Sequence, residues 1–392
     1  MTGTLEHLTV VELAGPRTEW CGKLFAQAGA RVVLVEPPGG AETRGYAPWF
    51  RGREEAESSL HFWHYNTDKE SVVLDLTDGE EREAFLRLLA GADVLLDGSE
   101  AGGLAGLGLT RDAIAAANEG LVHVALTPFG QEGPLASWRG SDLVHQALGG
   151  QMMMNGYDDM PASPPINGQG NQAGHMAGSW AFIAALAALQ AGTGTFIDLS
   201  VHDACSGMTE NALPQFDYTG KVVTRRTGRH ASVAPTPAWQ HRAADGRYIN
   251  AQLVNVSPRA WEGLVSWLDE HGMAEDLTDP KYFVPEIFRE EADHISEVIG
   301  RFVATKTADE IFHGAQARAL IFSAILNPED LLDDPHLAAR DFWIELDHGE
   351  PEGVLPYAGS AFVAQHSEVR PRRRAPHLDE HGDAIRGEGD TT

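Results

Sequence analysis

PPINGQGNQAGHMAGSWAFIAALAALQAGTGTFIDLSVHDA, residues Pro164–Ala204, is the stretch whose reading decides the fold. Pro164, Pro165, Gly168 and Gly170 forbid regular structure, so it opens as a loop. From Ala177 to Leu189 the residues are uncharged and almost all small or apolar. Such a run reads as a buried helix whose alanines let another backbone come close. It is too short to cross a bilayer. Gly192 and Gly194 end it, and Phe196–Val201 follows as a short apolar strand. The helix is expected to start near Gly174 and His175, with unpaired N–H groups facing the loop. A start of this kind favours anions and lowers a carboxylate's pKa.

Working outward, Leu8–Glu12 reads as a strand, Ala14–Pro16 as a turn, Thr18–Ala28 as an amphipathic helix stopped by Gly29, and Arg31–Glu36 as a second strand. This is a βαβ unit and predicts a parallel sheet. PPGGAETR, Pro37–Arg44, is a glycine-rich loop after a strand, suited to close approach of a ligand or to a plain turn. Further strands are predicted at Ser71–Leu76, Asp93–Leu96 and Leu121–Thr127, and a helix at Asp78–Ala90. Ala204–Gly220, Ala260–Glu270, Ile295–Ala304 and Thr307–Gln316 read as helices, and the chain from Arg386 onward as a disordered tail.

Composition narrows the function. At 392 residues the chain exceeds one ordinary core, which predicts two domains. With 29 basic against 57 acidic residues the net charge is −28, which argues against nonspecific nucleic-acid binding and against an anionic membrane surface. No run is apolar enough to span a bilayer and no signal-like segment opens the chain, so a cytoplasmic location is expected. Cys21 and Cys205 are too few for a disulfide framework or a zinc site. His202 and Asp203 adjoin without a ligand spacing, so no metal is expected.

Ordered motifs run through the chain: CGKLFAQAGARVVLVEPPGG (Cys21–Gly40), NTDKESVVLDL (Asn66–Leu76), PFGQEGPLASWRGSDL (Pro128–Leu143), AGTGTFIDLSVHDA (Ala191–Ala204), DPHLAARDFW (Asp334–Trp343) and APHLDEH (Ala375–His381). Together they resemble the class III CoA-transferases, the family of formyl-CoA transferase, carnitine CoA-transferase and α-methylacyl-CoA racemase. The resemblance implies an α/β fold: a Rossmann-like large domain (residues 1–224 and 326–392), a smaller α+β domain (225–325) and an interlocked dimer. It implies coenzyme A as a substrate thioester, held by Arg139, Leu74, Gly98, Ser99, Arg44 and Lys69, with Leu74 and the Gly98–Ser99 turn meeting the adenine. Asp142 falls at the family's active-site acidic position, and Ser141 where the racemases carry a histidine base. The family's nucleophilic aspartate falls at Gly174, so the usual mixed anhydride has no carboxylate to form on.

His175 follows that empty position. It reads as a general acid or base next to a thioester carbonyl, as a structural donor, or as a remnant without a role. Arg225, Arg226, Arg229 and His230 form a basic cluster at the entrance to the smaller domain, or a solvated linker. Three functions stay open. The first is a CoA-transferase acting on an acyl-CoA and a small carboxylic acid, as a homodimer or as a heteromer with an Asp-bearing homologue. The second is an acyl-CoA isomerase, racemase, lyase or dehydratase using Asp142 and His175. The third is a non-catalytic binding subunit.

Overall fold

Valine-rich runs separated by helices build one six-stranded parallel sheet in the computed structural model, which describes residues 3–160, 162–209, 212–228, 231–234, 237–253 and 257–388. The elements are β1 (Thr9–Leu13), α1 (Glu19–Gln27), β2 (Arg31–Glu36), α2 (Leu60–Tyr65), β3 (Glu70–Val73), α3 (Gly79–Ala90) and β4 (Val94–Asp97). After them come α4 (Gly103–Gly106), α5 (Arg111–Ala117), β5 (Val122–Thr127), α6 (Asp142–Leu148), α7 (Gln172–Ala191), β6 (Thr195–Ser200) and α8 (Val201–Gly207). The strand order is β3-β2-β1-β4-β5-β6, all pairs parallel. The order therefore reverses between β1 and β4, the point where open α/β sheets take their ligands.

The expected strands and helices appear with ends shifted by a few residues. Asp78 explains one shift: it stands outside α3 as its cap, accepting from the N–H groups of Glu80 and Glu81. One side of the sheet is packed by α1 and α7 through Cys21, Phe25, Ala177, Ala181 and Ala185. The other is packed by Phe85 and Leu89 of α3, Ile114 of α5 and Ile385.

α7 differs from its sequence reading in two respects. It begins at Gln172, after Asn171 in a left-handed conformation (φ 55°, ψ 48°). It is also buried on one face only, along Ala173, Gly174, Ala177, Gly178, Ala181 and Ala185. Trp180 and Ile183 on the other face are 50% and 56% exposed. The small residues serve the approach to α1: a Cβ on Gly178 would lie 3.0 Å from the Trp20 side chain and 3.1 Å from the Cys21 nitrogen.

The chain divides into two compact units. One is Met1–Gln151, Gly168–Thr209 and Pro335–Thr392; the other is Met152–Asn167 and Glu210–Asp334. The second holds α9 (Ala212–Thr219), β7 (Gln240–Arg242), β8 (Tyr248–Asn250), α10 (Pro258–Asp269), α11 (Pro285–Glu290), α12 (Ala292–Val303), α13 (Ala308–Gln316) and β9 (Ser323–Ile325). Its three strands pair antiparallel beside a core that includes Trp239, Trp261, Leu264 and Phe302. The helix expected over Ala204–Gly220 is thus two helices, α8 and α9. Of the basic cluster, Arg225 donates to the Ser163 carbonyl and Arg226 pairs with Asp158; Arg229 and His230 lie outside the described residues.

The first unit closes with α14 (Pro335–Ala339), the hairpin β10 (Trp343–Asp347) and β11 (Val354–Ala358), and α15 (Gly382–Glu388). Arg386, expected in a disordered tail, is helical because Ile385 packs on the β3 side of the sheet and Arg386 pairs with Asp379 at 2.9 Å. Residues 389–392 lie outside the described residues.

Candidate functional site

Two places in the first unit gather the chemistry. The first is the β1–β4 switch point. Arg17, at the turn after β1, donates from Nε to the Gly98 carbonyl at 3.0 Å and pairs with Glu100 at 3.1 Å. Asp97 Oδ1 accepts from the Ser99 N–H at 2.9 Å, so the Gly98–Ser99 turn is held from both sides. A Cβ on Gly98 would come within 3.0 Å of the Thr18 methyl, so this loop leans directly on the start of α1. Arg17 was not singled out in the sequence. Its only signal there is a basic residue directly after the small-residue turn that follows β1.

The second place is the N-terminal end of α7. Asp142, the first residue of α6, turns Oδ1 to the Ala173 N–H at 2.7 Å and Oδ2 to the Gln146 amide at 2.6 Å. An otherwise unpaired N–H at the start of α7 is thus filled by a carboxylate from the neighbouring helix. His175 lies one turn further in. Its Nε2 is 2.8 Å from the Tyr65 hydroxyl, and its ring lies 4.4 Å from that of Trp20. Burial holds the His175 imidazole below its ordinary pKa, partly opposed by the Asp142 charge, so the ring is neutral at pH 7. Burial likewise pushes the Tyr65 phenol up, partly opposed by the nearby Asn171 amide. His61 packs on Tyr65 with ring centroids 4.6 Å apart, and its Nε2 meets Glu19 Oε2 at 3.0 Å.

Gly174 sits inside this cluster. A Cβ at that position would meet three atoms of the Asn171 side chain at 2.5, 2.6 and 2.8 Å. The space a side chain at 174 would enter is already filled by an amide. Neither Asn171 nor Tyr65 was foreseen; Tyr65 is 110 residues from His175 and nothing local in the sequence joins them.

The remaining expected ligand contacts are dispersed. Arg139 is exposed and has no ion pair or hydrogen bond among the described residues. Leu74 is buried and lines a cavity of about 380 Å³ with Arg31, Arg87, Leu88 and Ile385; Gly98 and Ser99 are not part of its lining. Arg44 and Lys69, expected against the cofactor, are internal. Arg44 donates to Glu36 at 2.7 and 2.8 Å and to the Pro376 carbonyl at 3.1 Å, with its guanidinium 3.9 Å over the Phe62 ring. Lys69 Nζ stands 2.7 Å from Glu12 Oε2 and donates to Asn66 Oδ1 at 2.9 Å. A Cβ on Gly22 would lie 1.8 Å from that same Glu12 oxygen, so α1 crosses the pair at a glycine. Both cations have their hydrogen bonds spent inside the fold, which leaves little for a ligand. Among the described residues no group of three or more His, Cys, Asp or Glu side chains is placed to hold a metal, and no helix is long and apolar enough to cross a membrane.

Comparison with known proteins decides the family. The model of CoA-transferase family III matches residues 5–382. This chain belongs to that family. A family III relative from Thauera aromatica, the succinyl-CoA:(R)-benzylsuccinate CoA-transferase subunit BbsE, is 30% identical over 380 residues, covering 95% of this chain and 91% of its own. The succinyl-CoA:mesaconate CoA-transferase of Haloarcula hispanica is 28% identical over 388 residues, covering 97% and 94%. Among solved structures, a CAIB/BAIF family protein from Brucella suis superposes with a TM-score of 0.84 at 28% identity, over 100% of both chains. The family III fold expected from the motifs is therefore the observed one.

Proposed function

We propose that this chain is a CoA-transferase-type subunit that binds an acyl-CoA thioester and a small carboxylic acid, and that a homologous chain bearing a carboxylate at the position of Gly174 completes it. The observation that carries this reading is the Asn171 amide standing where a side chain at 174 would enter. An acyl anhydride needs a carboxylate nucleophile at the reacting carbonyl. Here that place holds an amide, which cannot carry an acyl group as an anhydride. The exposed apolar residues Trp180 and Ile183 of α7, with Leu143 and Leu148 of α6, support a partner chain on that face. The word "subunit" in the name of the Thauera aromatica relative supports the same arrangement.

Within this reading coenzyme A enters as part of the substrate. Arg17, the Gly98–Ser99 turn and the exposed Arg139 are the groups proposed to meet its anionic and adenine parts. Asp142 is proposed to hold the start of α7 in place, because both of its oxygens already accept hydrogen bonds. An isomerase or racemase using Asp142 as the base is less well supported for the same reason.

The test is isothermal titration of the purified chain with acetyl-CoA and succinyl-CoA, alone and with a co-expressed family III homologue that carries an aspartate at the aligned position. Binding by the chain alone, with turnover only in the mixed oligomer, is the expected result. Transferase turnover by the isolated chain would overturn the subunit reading, and absence of binding in both states would overturn the ligand class.

A further inference from the structure

On the face of the sheet away from α1 and α7, helices α3 and α15 flank a slot of about 380 Å³. That volume lies in the range of small-molecule sites. The floor is apolar: Val72 of β3 and Leu74 just beyond it are buried, as is Ile385 of α15, and Leu88 of α3 faces them. The α3 wall runs from Gly91 back to Ala84, ~10 Å at the helical rise. Both residues are small, and a Cβ on Gly91 would meet no atom within 4 Å, so the slot is open at that end.

Its charges are of one sign. Arg31, Arg87 and Arg386 line the slot, and among the described residues no acidic side chain does. This stands out in a chain with 57 acidic against 29 basic residues. Two of the three cations are matched from outside the slot: Arg31 pairs with Glu70 at 2.9 Å, and Arg386 with Asp379 at 2.9 Å. Arg87 is exposed and has no ion pair or hydrogen bond among the described residues. A single unmatched guanidinium therefore stands at an apolar slot.

We propose that this slot binds a free monocarboxylate with a hydrocarbon body, the body lying between α3 and α15 and the carboxylate meeting Arg87. Charge balance sets the number of negative charges at one, since a dianion would have to draw Arg31 or Arg386 away from its own carboxylate. A guanidinium suits a carboxylate because its parallel N–H groups meet both oxygens. The body is hydrocarbon because, apart from the arginines, Thr9 is the only polar side chain in the described lining. Polar groups elsewhere on the ligand would lose their water without a partner.

The slot is separate from both places described above. Arg17, Gly98 and Ser99 of the switch point are not part of its lining. The cluster at the start of α7 lies across the sheet, on the side packed by α1. Carboxylate binding here is thus a second site, independent of the function proposed above.

The experiment is calorimetric titration of the full chain with sodium hexanoate and sodium octanoate, and with 1-octanol as the uncharged counterpart. Affinity is expected to rise about fourfold per added methylene, the signature of a buried chain. Arg87→Ala is expected to weaken octanoate binding about fivefold, the loss of a charge-assisted bond at an exposed position. Its melting midpoint should stay put, because Arg87 is exposed and unpaired. Ala84→Phe, which fills the slot from the α3 wall, should abolish binding. 1-Octanol should bind about fivefold more weakly than octanoate, and saturating acetyl-CoA should leave octanoate affinity unchanged. Absence of octanoate binding, equal affinity in R87A, or equal affinity for 1-octanol overturns the proposal. Displacement of octanoate by acetyl-CoA would make the slot part of the thioester site and overturn its independence. Should the chain bind no acetyl-CoA, the ligand class proposed earlier fails, and the octanoate titrations still decide the slot.

Discussion

Replacing Gly174 by alanine puts a methyl into space held by Asn171, and the outcome follows from two opposed quantities. Inside a helix, alanine is favoured over glycine by about 1 kcal/mol. Against this, the new Cβ would stand 2.5–2.8 Å from three Asn171 side-chain atoms, so the amide must turn out of its place. Overpacking of this sort costs about 1–3 kcal/mol. G174A is therefore expected to gain nothing from the alanine and to lose up to about 2 kcal/mol of stability. Asn171→Gly removes the obstacle and suits the left-handed φ of 55°. Asn171 makes no side-chain capping hydrogen bond, so N171G alone is expected to stay within about 0.5 kcal/mol of wild type. In N171G/G174A the clash is gone and the alanine gain returns, so the double variant should match or exceed N171G. The expected coupling is the relieved overpacking, about 1–3 kcal/mol in a double-mutant cycle. Native-state hydrogen exchange of an α7 peptide under increasing urea reads the unfolding of this unit. Effects that add to within about 0.5 kcal/mol, or a G174A variant stabilised by the full propensity gain, would refute the reasoning.

Lys69→Met strands Glu12 without a partner and is expected to cost about 3–5 kcal/mol, most of which E12Q/K69M recovers, as read by urea midpoints. Lys23 is buried, and burial, with the Lys69 charge adding to it, lowers its pKa from 10.5 to about 7. The unfolded chain then holds the extra proton between about pH 7 and 10.5, so stability should rise with pH across that window. K23M should flatten that rise and be the more stable protein at pH 7; a rise that persists in K23M would assign it to another group. Arg17→Ala frees the Gly98–Ser99 turn, and acetyl-CoA affinity should drop about tenfold. The Arg17–Glu100 pair is partly exposed, so the R17A melting midpoint should move little; a large drop in midpoint with unchanged affinity would make Arg17 purely structural.

Much of the scaffold was readable in the sequence because its signals are local. β2 was expected at Arg31–Glu36 and lies there, since an uninterrupted apolar run such as Val32–Val35 is what a strand buried on both faces requires. The long helix of Pro164–Ala204 was recognised from its alanines, but composition carries no information about which side meets solvent, and Trp180 and Ile183 proved exposed. Charges were the least legible residues. Arg44 and Lys69 sit in loop-like, polar stretches that suggest a surface, and only the arrival of Glu36 and Glu12 from neighbouring strands takes them inside. The cluster at Gly174 needed the fold for the same reason. Gly174, His175 and Asp142 could be marked in the sequence, whereas Tyr65 reaches His175 from α2, 110 residues away.

The small-residue face of α7 bears on how such a protein can change over generations. A helix seated through missing side chains has no interlocking parts to retune when one position alters, and its seat on α1 depends on Gly178 and the alanines rather than on any reacting group. Its polar partners gather at the first turn, where Asp142 supplies a hydrogen-bond acceptor from outside and residue 174 supplies only its backbone. On the subunit reading proposed above, a copy of the gene can exchange the residue at 174 for glycine while its shape, and hence its fit to a sister chain, is inherited intact. Division of labour between two near-identical chains is open to this architecture from the moment of duplication.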